Sequence, residues 1–337
     1  MAIHAGAATY LVGDIDRGGI FASLYGTIAL LTPEEKACIK GIIINKFRGD
    51  SRLFEEGRKL IEDLCGLPVV GVLPYFRDIL IEEEDSVSLK NKQRETVTGK
   101  VNIAVILLNR MSNFTDFACL ENDPRVNLFY TDQPSRIAAS DIILLPGSKN
   151  TIEDLNAIKN NGVATAVVEA SKKGKTVVGI CGGYQMMGEL VEDPHGVESN
   201  VGMVAGLGLL PVRTVLLPEK TTLQRTFKFR YFEETCKGYE IHMGETIATS
   251  PGVQAANTLS DGATDGCYLN EKCWGTYLHG ILDNTIVVSE LLSPFTKATA
   301  LDFNYQQYKE EQYDKLAALI RAHVDLEQIY KTLQYQS

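Results

Sequence analysis

The chain has 337 residues, which corresponds to about two domains of ordinary size. Hydrophobic residues make up 45% and charged residues 23%, a balance that excludes a disordered, collagen-like or coiled-coil protein. The net charge is −10, and so acidic a surface does not attract nucleic acids or anionic membranes. We therefore expect neither of these among its partners.

The sequence also indicates a cytoplasmic location. No apolar run reaches the ~18 residues that a membrane-spanning helix needs, and the N-terminal residues lack the pattern of a signal peptide. The seven cysteines are scattered and none belongs to a CxxC pair. This usage favours reduced thiols and argues against a zinc site.

The first part of the chain predicts an α/β domain over residues 1–82. Strands are predicted at ATYLVGDID, GIIINKF and PVVGVLPY, and helices at GGIFASLYGTIALL and SRLFEEGRKLIEDLCG. Ser51 is the predicted N-cap of the second helix and Gly66 its stop. The strands are continuous runs of Ile, Val and Leu, as expected for a doubly wound parallel sheet.

A polar, charged stretch predicts a linker at residues 83–100, and a second α/β domain follows at 101–290. Its predicted strands are VNIAVILLN, DIILLPG and TVVGICGG, with helices between them. From about residue 205 to 280, β-branched and aromatic residues predict shorter strands. Residues 291–337 predict a helical C-terminal extension.

The strongest chemical feature is a cysteine enclosed by glycines, Gly179-Ile180-Cys181-Gly182-Gly183. It lies between a predicted strand and a predicted helix, which is the setting of a nucleophile elbow. The start of a helix favours a thiolate, and the N–H of Gly182 is placed to stabilise an oxyanion. The alternative is a buried cysteine beside an ordinary glycine turn.

Two further features complete a candidate thiol site. His279 and His242 both lie at strand-like positions, and spacing alone does not choose between them as the base. The strand DIILLPG ends at Gly147 and Ser148, whose amides are candidates for the second half of the oxyanion hole. An ordinary strand-to-helix turn is the alternative for these two residues.

Together these motifs resemble one enzyme family. LLPGSKNT, GICGGYQMMG, GYEIHMG and GTYLHGILD, in this order, resemble the class I (triad-type) glutamine amidotransferase domain of the cobyric acid synthase family, also called CobB/CobQ. VGDIDRGGIFASLYGT and GIIINKFRGD resemble the family's ATP-dependent synthetase domain, which is related to dethiobiotin synthetase. The resemblance implies a partial P-loop-NTPase-like domain followed by a flavodoxin-like amidotransferase domain.

The resemblance implies a glutamine-dependent amidation in cobalamin biosynthesis. Cys181 would attack glutamine and form a thioester, and His279 would act as the base. The released ammonia would amidate the b, d, e and g carboxylates of a corrin, adenosylcobyrinic acid a,c-diamide, at the expense of ATP with Mg²⁺. The product would be adenosylcobyric acid, and no prosthetic group is implied.

The resemblance also assigns candidate residues in the synthetase part. Asp14 and Asp16 lie just after a predicted strand, where open α/β sheets bind ligands, and are candidates for metal and phosphate binding. Asn45 and Lys46 resemble the nucleobase-reading position of related ATP-binding folds. Solvated loop acids and a polar strand end are the alternatives.

The sequence departs from the family pattern at two places. It contains no G-x-x-x-x-G-K-[ST] motif, so we expect a truncated synthetase half, a chain competent only as a glutaminase, and a missing N-terminal synthetase segment as a partner. Most triad-type glutaminases have Glu two residues after the histidine, where this chain has Ile281. Either the supporting carboxylate is absent, which leaves a dyad of Cys181 and His279, or it comes from elsewhere, with Glu240 and Asp283 as candidates.

Two other functions stay open at this stage. The chain could be a non-catalytic scaffold for a partner synthetase, which an intact pair of Cys181 and His279 disfavours. It could also be an amidotransferase that acts on a different carboxylic acid, such as a peptidoglycan precursor. The motifs GYEIHMG and DIDRGG argue against the second alternative.

Overall fold

The computed structural model describes residues 1–81, 95–296 and 303–334, which divide into two compact units. Unit 1 combines Met1–Ile81 with Gln307–Ser337, and unit 2 is Glu82–Gln306. Of the predicted linker, residues 83–94 lie outside the described residues. Within the described ranges, no helix is both long and apolar enough to span a lipid bilayer.

Unit 1 begins with a parallel sheet. Its elements in chain order are α1 (Ala2–Ala5), β1 (Thr9–Asp14), α2 (Ile20–Leu30), α3 (Pro33–Cys38), β2 (Ile39–Phe47), α4 (Glu55–Cys65) and β3 (Val69–Pro74). The strands stand in the order β1–β2–β3, and both pairs are parallel. The core is formed by apolar side chains of α2, β2, α4 and β3, including Leu24, Ile42, Ile44 and Ile61. The α/β prediction for this part is confirmed.

The start of the second predicted helix differs from the prediction. Ser51–Phe54 forms a 3-10 helix, and its N-cap is Asp50, not Ser51. The Asp50 carboxylate accepts a hydrogen bond from the Arg52 amide and pairs with the Arg52 guanidinium. Because this local pairing satisfies the first turn, α4 begins only at Glu55. Its predicted stop at Gly66 is confirmed, with φ 64°.

Unit 2 has more strands than the sequence predicted. In chain order they are β4 (Val101–Ile106), β5 (Met111–Ser112), β6 (Val126–Thr131), β7 (Ile142–Leu145), β8 (Gly147–Ser148), β9 (Thr176–Ile180), β10 (Leu190–Glu192), β11 (Met203–Ala205), β12 (Val212–Phe229), β13 (Thr235–Ala248), β14 (Asn257–Leu259), β15 (Thr264–Asp265), β16 (Cys267–Asn270), β17 (Cys273–Thr276) and β18 (Leu278–His279). The helices are α5 (Ala118–Asn122), α6 (Pro134–Ala139), α7 (Thr151–Asn160), α8 (Val163–Lys172), α9 (Gly182–Met187) and α10 (Thr285–Leu292).

The main sheet of unit 2 has the order β16–β17–β9–β7–β4–β6. Its five parallel strands, counted along the chain from β4, therefore stand in the order 2-1-3-4-5, which is the flavodoxin-like doubly wound arrangement. The strands β6, β7 and β9 are buried along their whole length, as a sheet covered on both faces requires. Ligands bind such sheets beyond the carboxyl ends of the strands, where β4, β7 and β9 end.

A second sheet has the strand order β11–β10–β12–β13–β18. Shorter strands were predicted for residues 205–280, but this region contains two long ones. β12 has 18 residues and β13 has 14 residues, and the two pair antiparallel. The pairing is interrupted by an irregularity between Leu216 and Thr221, which lets the hairpin bend. The far side of β13 pairs with β18, so His279 lies opposite Tyr239.

The chain ends with two helices, α11 (Tyr305–His323) and α12 (Leu326–Gln334). The sequence predicted them as a separate extension, but from Gln307 onward they belong to unit 1. The amide of Asp325, between the helices, donates a 2.7 Å hydrogen bond to the carbonyl of Val70 in β3. The Tyr10 hydroxyl of β1 and the Thr332 hydroxyl of α12 are 3.0 Å apart.

Candidate active site

Cys181 lies at a sharp turn between β9 and α9. Its backbone has φ 52° and ψ −111°, a conformation that side-chain-bearing residues rarely adopt. Glycines surround it because there is no room for side chains: a Cβ at Gly183 would lie 2.0 Å from the Leu145 carbonyl oxygen, and one at Gly179 would lie 2.7 Å from Gly183. The strand–turn–helix setting predicted for Cys181 is confirmed.

His279 is the histidine that faces this turn. It is fully buried, and its Nδ1 lies 2.7 Å from Oδ2 of Asp116. Its Nε2 is buried and has no hydrogen-bond partner among the described residues. Burial alone lowers the pKa of His279, but the hydrogen bond and charge of Asp116, together with the neighbouring Cys181, raise it to about 10. Because Nδ1 is bonded to Asp116, Nε2 is the ring nitrogen that is left to interact with Cys181.

The carboxylate beside His279 differs from the predicted ones. It is Asp116, whose Oδ1 also accepts a 2.9 Å hydrogen bond from the Gly280 amide. Glu240 instead pairs with Arg225, with 2.9 Å between Oε2 and Nε. Tyr239 lies opposite His279 in the strand pairing, and side chains alternate along a strand, so Glu240 points to the other face. The structure thus brings Asp116 to His279 and pairs Glu240 with Arg225, and a supporting role for Glu240 or Asp283 stays a prediction.

Asp116 was missed because nothing local marks it. It lies in a 3-10 helix, Phe114–Phe117, 163 residues before His279 in the chain. Its side chain is buried, which is unusual for an ionisable group unless it has partners. Sequence alone gives the FTDF segment no catalytic pattern, and only the packing of β18 against this turn brings the two groups together.

The second predicted histidine has a different environment. His242 stacks on the Tyr277 ring, with centroids 3.9 Å apart, and its Nδ1 lies 3.0 Å from the Gly244 carbonyl. Burial lowers its pKa. It borders a cavity of about 580 Å³ whose lining includes Arg225 and Glu240. The geometry thus separates the two histidines: only His279 is bonded to a carboxylate.

The predicted oxyanion residues lie together beside the thiol. A Cβ at Gly182 would be 2.8 Å from the Ser148 amide nitrogen, and a Cβ at Gly147 would be 3.3 Å from Cε1 of His279. The Ser148 hydroxyl donates to Asp154 at 2.6 Å. The backbone of this segment, rather than the Ser148 side chain, is therefore the part that faces Cys181 and His279.

A buried hydrogen bond joins the two turns of this site. Thr151, at the start of α7, donates through its hydroxyl to Oε1 of Gln185 in α9 over 2.8 Å. Nε2 of Gln185 lies 3.2 Å from the Tyr277 hydroxyl. Because α7 follows Ser148 and α9 follows Cys181, this bond holds the two backbone segments in register.

The candidate residues of unit 1 also lie together, at the carboxyl ends of β1 and β2. Asp14 pairs with Asn45 in the strand register, and its carboxylate lies 2.9 Å from Nζ of Lys46. That hydrogen bond lowers the pKa of Asp14 despite its partial desolvation. Asp16 is bonded by the Arg48 guanidinium, with Nη2 3.0 Å from Oδ2.

These carboxylates already have side-chain partners in this structure. Both are ion-paired with cations, and the described part of the chain contains no group of three or more His, Cys, Asp or Glu side chains that could hold a metal ion. Oδ1 of Asn45 accepts a hydrogen bond from the Lys46 amide at 2.9 Å. The four predicted residues are thus neighbours that bond to one another or to nearby cations. Metal binding and nucleobase binding by these residues stay predictions.

Comparison with known protein families assigns most of unit 2 to one domain family. Residues 102–286 match the model of the CobB/CobQ-like glutamine amidotransferase domain, so this part of the chain is a glutamine amidotransferase domain. A cobyric acid synthase of Parabacteroides distasonis is 58% identical over 99% of this chain and 68% of its own length. One from Bacteroides fragilis is 57% identical over the same shares. The chain belongs to the cobyric acid synthase family, the glutamine-dependent, ATP-dependent amidotransferases of cobalamin biosynthesis.

Among solved structures, PurLQS from Thermotoga maritima aligns with 58% of this chain and 100% of its own, at 18% identity and a TM-score of 0.45. So low a score adds nothing to the assignment. The α/β class and the strand order of unit 2 therefore stand on the structure itself and on the match to the amidotransferase domain.

Proposed function

We propose that Cys181 is the nucleophile of the glutaminase reaction and that His279 is its acid–base partner. The observation that supports this most strongly is the strained turn that holds Cys181 next to a histidine bonded to a buried carboxylate. The thiolate attacks the side-chain amide carbon of glutamine, and the imidazolium of His279 gives its proton to the leaving nitrogen. Ammonia departs and a γ-glutamyl thioester remains on Cys181.

Hydrolysis completes the cycle. Neutral His279 takes a proton from water, whose oxygen attacks the thioester carbon, and the C–S bond breaks to release glutamate and the Cys181 thiolate. Each attack places a negative charge on the former amide oxygen. We propose that the Gly182 amide and an amide of Gly147 or Ser148 donate to that charge, which the closeness of Gly182 to the Ser148 backbone supports.

Asp116 is the supporting carboxylate of this proposal. By accepting from Nδ1, it keeps the proton on that nitrogen whenever His279 is neutral, so that Nε2 can take a proton. Its charge also stabilises the imidazolium that forms during the reaction, which agrees with the raised pKa of His279. The Gly280 amide holds the other carboxylate oxygen and fixes its orientation.

The released ammonia serves the amidation that defines the family. We propose adenosylcobyrinic acid a,c-diamide as the acceptor, with amidation of its b, d, e and g carboxylates to give adenosylcobyric acid. ATP, brought with its own Mg²⁺, supplies the activation of each carboxylate. Asp14, Asp16, Asn45 and Lys46 remain the candidates for contact with nucleotide, and a cytoplasmic location completes the proposal.

The glutaminase part is tested by measuring glutamate release from glutamine by the purified protein. We expect Cys181→Ser to abolish release, and Cys38→Ser, which changes a cysteine of unit 1, to leave it unchanged. A glutamine-analogue electrophile such as 6-diazo-5-oxo-norleucine should label Cys181 alone, as read by peptide mass spectrometry. Release that persists in Cys181→Ser, or labelling of another cysteine, contradicts the proposal.

A further inference from the structure

An aromatic ring covers one face of the His279 imidazole. Tyr239 lies directly opposite His279 where β13 pairs with β18, so both side chains are on the same face of the sheet. Their ring centroids are 5.2 Å apart and the planes differ by 22°, which is a stacked arrangement. The stack sets the plane of the imidazole.

The Tyr239 ring is itself held in place. Nδ2 of Asn113 donates a 2.8 Å hydrogen bond to the Tyr239 hydroxyl oxygen. Asn113 has φ 52° and ψ 41° and is the N-cap of the 3-10 helix that contains Asp116. The Asp116 amide donates to the Asn113 carbonyl at 3.0 Å. One turn therefore holds both the carboxylate at the edge of the imidazole and the ring on its face.

The two contacts constrain different motions of the imidazole. The bond from Nδ1 to Asp116 fixes one ring atom but still allows the ring to tilt about that bond. The stack against Tyr239 removes this tilt, since a rotated imidazole would collide with the phenol ring. We propose that Tyr239, held by Asn113, is a positioning residue that keeps Nε2 of His279 directed at Cys181. This inference rests on the proposed glutaminase function.

The phenol has no acid–base role in this account. Burial and the nearby charge of Asp116 raise the pKa of Tyr239 to about 12. The ring is thus neutral throughout the working range of the enzyme, and its contribution is shape and orientation. Such a contribution affects the chemical step more than substrate binding, because small misplacements of a catalytic group lower the rate.

Four variants separate the stack from the hydrogen bond. Tyr239→Leu removes the stack, whereas Tyr239→Phe keeps it and removes the bond to Asn113. Asn113→Gly removes the same bond and preserves the backbone, since glycine adopts a positive φ without strain. Tyr231→Phe is the matched control, because Tyr231 is 68% exposed and lies outside the site.

The experiment measures kcat and KM for glutamate release, and separately the rate at which iodoacetamide alkylates Cys181, followed on its peptide by mass spectrometry. We expect Tyr239→Leu to lower kcat about tenfold with KM nearly unchanged. Tyr239→Phe and Asn113→Gly should each lower it about threefold. Their double variant should match the single ones, because both remove the same bond. Alkylation should slow in Tyr239→Leu, as we also expect for His279→Ala.

The outcomes distinguish this inference from the function on which it rests. If Cys181→Ser and His279→Ala are inactive but Tyr239→Leu keeps its kcat and its alkylation rate, the positioning role is wrong and the proposed function stands. A loss confined to KM also overturns the positioning role. If His279→Ala changes neither turnover nor alkylation, the proposed function fails as well.

Discussion

Replacing Asp116 by Asn changes one atom of the site and should remove most of its activity. The carboxylate accepts two N–H groups, His279 Nδ1 at 2.7 Å and the Gly280 amide at 2.9 Å. An amide has one oxygen, so in Asp116→Asn its NH₂ group must face one of these donors. If it faces Nδ1, the imidazole proton moves to Nε2, and the nitrogen nearest Cys181 can no longer act as a base.

The expected losses of activity and of stability in Asp116→Asn follow from this change of tautomer and from the lost charge. A wrong tautomer costs about 10⁴-fold in kcat in a comparable triad. The lost charge-assisted hydrogen bond should lower the free energy of unfolding by about 2 kcal/mol. The pKa of His279 is raised to about 10 in the folded protein. The pairing with Asp116 therefore stabilises the protein fully below the unfolded histidine pKa of about 6.5, and this stabilisation is lost as the pH rises towards 10.

The assay is glutamate release over a range of pH, combined with denaturant unfolding at pH 6 and pH 9.5. Asp123→Asn is the matched control, since Asp123 is equally buried and pairs with Arg125 outside the site. The control should lose stability without losing kcat. The role of Asp116 would be contradicted if Asp116→Asn kept activity within threefold of the unchanged protein at every pH, or if its stability loss grew from pH 6 to pH 9.5.

The remaining predictions concern the elbow and the corrected carboxylate. Gly183→Ala should fail to give folded protein, because its Cβ would lie 2.0 Å from the Leu145 carbonyl oxygen; expression of soluble, cooperatively melting protein would contradict this. Glu240→Gln should keep kcat for glutamate release within about twofold, because Glu240 bonds Arg225 and not His279. A drop as large as that expected for Asp116→Asn would mean that Glu240 supports the histidine after all.

Features that depend on neighbouring residues could be predicted from the sequence. The strands of unit 1 and the turn at Cys181 follow from short apolar runs and from glycines within two residues of the thiol. The end of the strand DIILLPG was predicted at Gly147 and Ser148; β7 ends at Leu145 and these two residues form the short strand β8 directly after it. In each case about ten neighbouring residues are enough to indicate the physical cause, which is a tight turn or a fully buried strand.

Features that depend on contacts between distant parts of the chain could not be predicted from the sequence. Asp116 becomes the partner of His279 only because β18 packs against a turn 163 residues earlier in the chain. The strand β6, VNLFYT, is buried at every position because it pairs with β4, yet its sequence lacks a run of branched residues. The helices α11 and α12 have the pattern of a surface extension, and only their contacts with β1 and β3 assign them to unit 1.

The same limit applies to Glu240. From the sequence it was one of the acids nearest to a candidate histidine, His242. Strand pairing places Tyr239 rather than Glu240 opposite His279, and the alternation of side chains sends Glu240 towards Arg225. A shift of one residue in the register of β13 and β18 would have exchanged these two roles.

Unit 2 is proposed to hydrolyse glutamine through a thioester on Cys181. The most direct test incubates the protein with glutamine, quenches with acid, and analyses the Cys181 peptide by mass spectrometry. We expect a γ-glutamyl adduct on Cys181 that is reduced in His279→Ala, which lacks the acid for the leaving nitrogen, and absent from Cys181→Ser. Glutamate release without any adduct on Cys181, or with an adduct on another cysteine, would contradict it.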